Sequence, residues 1–318
     1  MMKWRVDMLD WQLLTQVIPK WLEVSRKEAS FGKVATYIPG LAAAPQHTLG
    51  ISVIGITGEE IHAGDCGFMF TLQSISKVFS LLLALIDAGE NRVFEKVGME
   101  PTGDDFNSIL KLELVDPGKP FNPFINAGAI MMASLIGGNT PEEKSKRLLK
   151  FTRRLAGDES LTWNESVYES ERKTAHRNRS LAYFLKDNGV LLDDVEDTLE
   201  VYFRQCAIEV NAKQLARMGM ILVNDGKHPT TGEQLIPRRY IQITKTFMVT
   251  CGMYNGSGEF AIQVGLPAKS GVSGGILALI PGQAGLSVIG PSLETKGNSI
   301  AGLHLLKTLS HNLQLSMF

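Results

Sequence analysis

The sequence predicts an α/β (α+β) fold in which both ends of the chain build one five-stranded antiparallel sheet, flanked by helices, with an all-helical subdomain inserted between them. Three observations predict it. Near the N-terminus, LGISVIGITGEEIHAGD (49–65) is a β-branched run that ends at Thr57-Gly58 and is followed by a short second strand, the pattern of a hairpin. Near the C-terminus, GEFAIQVGLPAKSGVSGGILALIPGQAGLSVIG is rich in Val, Ile, Leu and Gly, and turn signals at Leu266-Pro267 and Pro281-Gly282 divide it into three consecutive antiparallel strands. From about 90 to 255 the pattern is helical with polar loops. Separate two- and three-stranded sheets would be marginal, whereas five strands make an ordinary sheet. Residues 1–318 therefore read as a single domain, with about 1–90 and 255–318 forming the sheet part and about 90–255 the helical part.

The remaining elements follow in order. Trp4, Met8, Trp11, Leu14, Ile18, Trp21 and Leu22 recur three or four apart, which predicts an amphipathic helix over 4–24 whose aromatic stripe packs on the core. FGKVATYIPGLA, bounded by Gly and Pro, reads as an ordered loop. FTLQSISKVFSLLLALIDAG (70–89) opens on polar residues and continues as an apolar helix stopped by Gly89. Thr140-Pro141-Glu142-Glu143 is a helix start, with a cap, a proline at the first position and acidic residues in the first turn. Helices are expected near 141–155, 176–187, 194–206, 211–224, 237–248 and 298–314.

A helix entering the core has no packing reason to begin with Gln73, Ser74 and Lys77. Ser74 can be a cap that satisfies a free backbone N–H. Alternatively, Ser74 and Lys77, three residues apart on one helical face, can form a nucleophile and its base. Lys269-Ser270-Gly271 at the start of a strand favours the second reading. Ser-x-x-Lys at a helix start, paired with Lys-Ser/Thr-Gly on an edge strand, defines the serine β-lactamase and penicillin-binding active site. There the acyl oxygen is held by two backbone N–H groups, one from the serine and one from the strand. The small residues at 271–275 let a substrate approach that strand closely. Asn126, ahead of a small-residue helix, is either a cap or a site residue, and Tyr254 either packs in its loop or belongs to the site.

The segments KVATYIPGLA, FTLQSISK, NPFINAGAI, SERKTAHRNRS, QCAIEVNAKQLARMG, TCGMYNGSGEFA and GLPAKSGVSGGI resemble, in this order, the serine-dependent glutaminase family, from near residue 20 to the C-terminus. The resemblance implies a β-lactamase-like fold and hydrolysis of the side-chain amide of L-glutamine. It implies that Ser74 attacks the amide carbon, Lys77 accepts its proton, and Tyr254 relays that proton to the departing ammonia. It also implies an oxyanion hole from the backbone N–H groups of Ser74 and Val272, and a pocket lined by Tyr37, Gln73, Asn126, Glu171, Asn178 and Tyr202. Glu171 suits the α-ammonium of glutamine, and the neutral Asn, Gln and Tyr donors suit its carboxylate. Lys269, a second nearby cation, is expected to depress the pKa of Lys77. The family further implies a homodimer or homotetramer. The chain departs from the family pattern at His176, where an acidic residue is common, and at Asn255, where Asp is common.

Composition narrows the alternatives. A net charge of −1 and a pI near 6.6 give no general attraction for nucleic acid or an anionic membrane, and the basic RKTAHRNRS (172–180) lacks interleaved aromatics. The face of Lys146, Arg147, Lys150, Arg153 and Arg154 reads as solvated helix. Three widely spaced cysteines argue against a disulfide framework and for a reducing cytoplasm, with Cys66 and Cys206 as small core residues and Cys251 near the Tyr254 loop. The six histidines show no metal-ligand spacing, and neither metal nor cofactor is expected. Asp7 and Asp10 interrupt any signal-peptide core, and Val78–Ile86 falls short of the roughly 20 apolar residues that span a bilayer. Two other readings remain: a penicillin-recognising acyl-serine enzyme, disfavoured without an export signal, and an amino-acid-binding protein without turnover, which would need no nucleophile–base pair.

Overall fold

The computed structural model describes residues 8–102 and 118–318; Trp4 and the start of the expected N-terminal helix lie outside them, as does 103–117 of the helical stretch. Among the described residues the chain forms eleven α-helices and two sheets.

Helix α1 (Trp11–Arg26) starts where Asp10 accepts a hydrogen bond from Leu13 N at 2.9 Å, and Leu14, Ile18 and Leu22 form its buried stripe. Strands β1 (Gly50–Gly55) and β2 (Glu60–Gly64) make the expected hairpin, turning through Gly58 at φ +102°. Strands β3 (Phe70–Thr71) and β4 (Glu209–Val210) pair with each other, a small ladder the sequence did not announce. Strands β5 (Ala268–Ser270), β6 (Gly275–Ile280) and β7 (Ala284–Ile289) complete the main sheet in the order β2-β1-β7-β6-β5, antiparallel throughout. The two chain ends join at β1 and β7, where Ser52 faces Ser287.

Strands β1, β6 and β7 are buried along their whole length because both sheet faces are covered. On one face, α1 and α11 (Ile300–Leu313) pack Leu14, Ile18 and Leu305 against Ile51, Val53, Ala278 and Val288. On the other, Ile54, Leu277 and Leu279 meet the helical half of the molecule through α8 (Ala212–Val223). Close approach there requires glycine: a Cβ on Gly285 would lie 2.2 Å from Met220 N.

The helical half contains α2 (Ser76–Lys96), α3 (Asn126–Leu135), α4 (Pro141–Ala156), α5 (Glu165–Thr174), α6 (His176–Asp187), α7 (Val195–Cys206), α8 and α9 (Arg238–Cys251). The expected stop at Gly89 is a kink at φ +81°, after which α2 resumes. Thr140 caps α4 through Glu143 N, with Pro141 in the first turn. On the solvated face of that helix Lys146 pairs with Glu142.

One strand was misplaced. Residues Ser257–Gln263 form helix α10, because Ser257 Oγ accepts from Met253 N and donates to Tyr254 O, starting a helical turn. Phe260 is buried while Ile262 is 89% exposed, an arrangement a strand, with both on one face, would forbid. The sheet still has three C-terminal strands because Gly274, at φ +93°, separates β5 from β6.

Candidate active site

Ser74 does not cap a helix. The β3–β4 ladder and a 2.8 Å bond from Leu72 N to Ile208 O fix the chain just before it. Gln73 then turns through φ +46°, residues 73–75 make a single tight 3₁₀ turn, and α2 begins at Ser76; neither start carries a side-chain cap. A left-handed φ at a residue with a Cβ costs on the order of 1 kcal/mol, and such strain gathers at functional sites. Tyr254, at φ +53°, is a second case, and its buried hydroxyl lies near Ser74: burial raises the phenol's pKa and Ser74 draws it down.

Lys77 is fully buried one turn below Ser74. Its Nζ donates to Asn126 Oδ1 at 2.6 Å and to Phe124 O at 3.1 Å. Asn126 Nδ2 in turn donates to Asn178 Oδ1 at 2.9 Å, so the Asn126 amide is spent on side chains and not on capping α3. Burial lowers the Lys77 pKa to about 8, against the fields of Cys206 and Glu171, which hold it up. Lys269, on edge strand β5, is also fully buried, donates to Ser270 O at 2.8 Å, and lies 4.5 Å from the centre of the Tyr254 ring. The depression of Lys77 thus arises from burial. The cationic field acts on the other partner: burial first, then Lys77, push Lys269 well below the usual lysine range.

A cavity of about 490 Å³ opens beside Ser74, and every residue expected in the pocket lines it: Tyr37, Gln73, Ser74, Asn126, Glu171, Asn178, Tyr202, Tyr254 and Val272. Lys77 and Lys269 stand behind its wall. Glu171, in the last turn of α5, is 6% exposed and accepts from Gln73 Nε2 at 3.4 Å. Burial raises its pKa to about 7, opposed by Gln73 and Lys77. Tyr37, 59% exposed, marks the mouth. Val272 reaches Ser74 because Gly271 lets the chain after β5 pass close by; a Cβ there would sit 2.7 Å from Leu72 O.

Cys206 is more than core filling, since it lines the cavity between Tyr202 and Glu171. Its spacing of four from Tyr202 on α7 was the available signal. Arg177, Lys296 and Asn255 also line the cavity, whereas His176 is exposed at the start of α6 and does not. Cys251 is half-buried on a smaller neighbouring cavity, and burial raises its thiol pKa. Among the described residues no cluster of three or more His, Cys, Asp or Glu side chains is placed to hold a metal, and no helix is long and apolar enough to cross a membrane.

A family model described as Glutaminase matches residues 32–318. The chain belongs to the glutaminase family. It is 52% identical over 297 residues to Glutaminase 2 of Clostridium perfringens, covering 93% of this chain and 97% of that protein. It is 52% identical over 305 residues to a glutaminase of Clostridium botulinum, covering 96% and 100%. The crystal structure of a probable glutaminase from Bacillus subtilis superposes with a TM-score of 0.90 at 44% identity, over 96% of this chain and 97% of that one. A Bacillus subtilis glutaminase in covalent complex with 5-oxo-L-norleucine, formed from 6-diazo-5-oxo-L-norleucine, superposes at 0.87 with 42% identity, over 96% and 99%. The β-lactamase-like sheet and helical half therefore belong to a glutaminase fold.

Proposed function

We propose that this chain hydrolyses the side-chain amide of L-glutamine to L-glutamate and ammonia through a glutamyl-serine ester on Ser74. The observation that carries the reading is the convergence of Ser74, Tyr254 and the buried Glu171 carboxylate on one cavity, with a buried lysine of depressed pKa one turn from Ser74. The covalent adduct formed by the Bacillus subtilis protein fits the same acyl-enzyme route.

In this mechanism the α-ammonium of glutamine lies against Glu171, and its α-carboxylate takes neutral donors from Asn178, Tyr37 and Tyr202. Ser74 Oγ attacks the amide carbon while Lys77 accepts the hydroxyl proton. The negative oxygen is held by the N–H groups of Ser74 and Val272, which Gly271 allows to converge. Collapse breaks the C–N bond, and Tyr254 passes the proton to the leaving nitrogen, releasing ammonia. Water then adds to the ester, giving up its proton along the reverse path, and glutamate departs with Ser74 restored.

The finer expectations belong to this reading as well. The three free cysteines support a reducing cytoplasm, and the homodimer or homotetramer implied by the family resemblance is part of the same reading. The sheet shared by both chain ends supports one domain over 1–318.

The test is ammonia release from L-glutamine by the purified protein and by Ser74→Ala, with asparagine and a chromogenic β-lactam in parallel. Release from glutamine that falls at least about a thousand-fold in a folded Ser74→Ala supports the reading. Glutamine binding with no release by either protein, or turnover of the β-lactam alone, overturns it.

A further inference from the structure

Asn122, in the Asn-Pro-Phe segment that leads into α3, is 1% exposed and uses both ends of its amide. Its Oδ1 accepts from Phe124 N at 2.9 Å and from Ile125 N at 3.2 Å, and its Nδ2 donates to Glu100 O at 2.8 Å. The first two bonds close a turn of the kind asparagine favours, in which the side chain stands in for a backbone carbonyl. The third ties that turn to the chain leaving α2, where Gly98 N donates to Pro120 O at 2.7 Å and Glu100 N to Phe121 O at 3.1 Å. On its other side the turn presses on α3: a Cβ on Gly128 would lie 1.9 Å from Asn122 O.

This turn carries the acceptors of the buried lysine. Phe124 O, two residues after Asn122, accepts from Lys77 Nζ at 3.1 Å, and Asn126 Oδ1 accepts from it at 2.6 Å. Helix α3 begins without a side-chain cap, and Asn126 turns its amide to Lys77 and Asn178, so the path from 122 to 126 is set by the Asn122 amide. Both acceptors are neutral. They orient the lysine nitrogen without holding its proton as firmly as a carboxylate in the same place would.

We infer that Asn122 is a positioning residue for Lys77: its amide shapes the 122–125 turn so that Phe124 O and Asn126 Oδ1 aim the lysine nitrogen at its working position. This rests on Lys77 as the base of the reaction proposed above. The test measures ammonia release from glutamine against pH in Asn122→Ala, the milder Asn122→Ser, and Asn122→Asp, which keeps the two oxygen-accepted bonds. The titration of Lys77 Nζ is followed alongside by NMR in lysine-labelled protein, its signal identified by its loss in Lys77→Met. In Asn122→Ala, kcat should fall roughly ten- to hundred-fold with KM changed far less. A carbonyl that accepts from the ammonium stabilises its charged form. Loosening it should therefore move the Lys77 titration, and the acid limb of kcat/KM, to lower pH by about half a pH unit or more. Asn122→Ser should shift both the same way by less, and Asn122→Asp should keep most of kcat with no downward shift. A Lys77 titration that stays in place in Asn122→Ala, or in Asn122→Ser where the alanine variant does not fold, overturns the inference. So does an Asn122→Asp that behaves like Asn122→Ala. An acid limb that stays in place while the Lys77 titration moves removes Lys77 as the base and leaves the hold of Asn122 on that lysine standing.

Discussion

Replacing Glu171 by Gln tests the electrostatics of the site with nearly no change in shape. The carboxylate is buried, holds Gln73 Nε2 at 3.4 Å, and raises the pKa of Lys77 by its field. Two effects should separate. A hydrogen bond to a charged group contributes about 1.5–3 kcal/mol, so losing the ammonium's partner should raise KM for glutamine roughly ten- to hundred-fold. The second effect concerns pH. In the proposed mechanism two groups must lose a proton on the acid side: Glu171, near 7, to receive the ammonium, and Lys77, near 8, to accept from Ser74. They are coupled, so kcat/KM should rise through pH 7–8 with apparent values that belong to the pair. In Glu171→Gln one ionisation is gone and Lys77 loses an anion that stabilised its charged form. The acid limb must therefore become a single step at lower pH, although activity is weaker. A kcat/KM profile from pH 5.5 to 9.5 decides it. A limb that stays in place or moves up would show that Lys77 does not feel Glu171, and the base assignment would fall with it.

Gln73→Ala should move the same limb the other way: its amide stabilises the ionised Glu171, so removing it raises that pKa from about 7, read in the same profile. Tyr254→Phe keeps the ring beside Lys269 and removes the hydroxyl near Ser74; kcat for ammonia release should fall about 10²–10⁴-fold with KM little changed. Gly271→Ala places a Cβ 2.7 Å from Leu72 O and 3.2 Å from Ile75 Cγ1. It should cost about 1–3 kcal/mol in a denaturant melt and lower kcat by displacing Val272.

The two-plus-three strand arrangement was legible because β-branched runs and turn residues report locally on strands. The small ladder of Phe70–Thr71 with Glu209–Val210 was not, since two-residue strands carry no periodicity. The stretch 258–264 misled because FAIQV alternates like a strand, while the turn that makes it a helix depends on hydrogen bonds of Ser257 to Met253 and Tyr254. Side chains that meet across the fold behaved similarly. The spacing of Ser74 and Lys77 was visible in the chain, but Asn126, Asn178 and Lys77 form one hydrogen-bonded line only after α2, α3 and α6 are packed. The strain at Gln73 and Tyr254 has no compositional sign, because neither is a residue that prefers positive φ.

In the proposed mechanism, burial is what lets a lysine so far from water work as a base. Two fully buried lysines cannot both be protonated cheaply, and burial first, then Lys77, push Lys269 well below its ordinary range. Lys77 is kept near 8 by burial, which lowers it, against the fields of Cys206 and Glu171, which hold it up. A glutamine ammonium set against Glu171 cancels part of that field. Lys77 then keeps its burial penalty and loses what offset it, so its pKa falls when substrate arrives. In the proposed mechanism the carboxylate that receives the ammonium would thereby also lower the proton affinity of the base as substrate arrives.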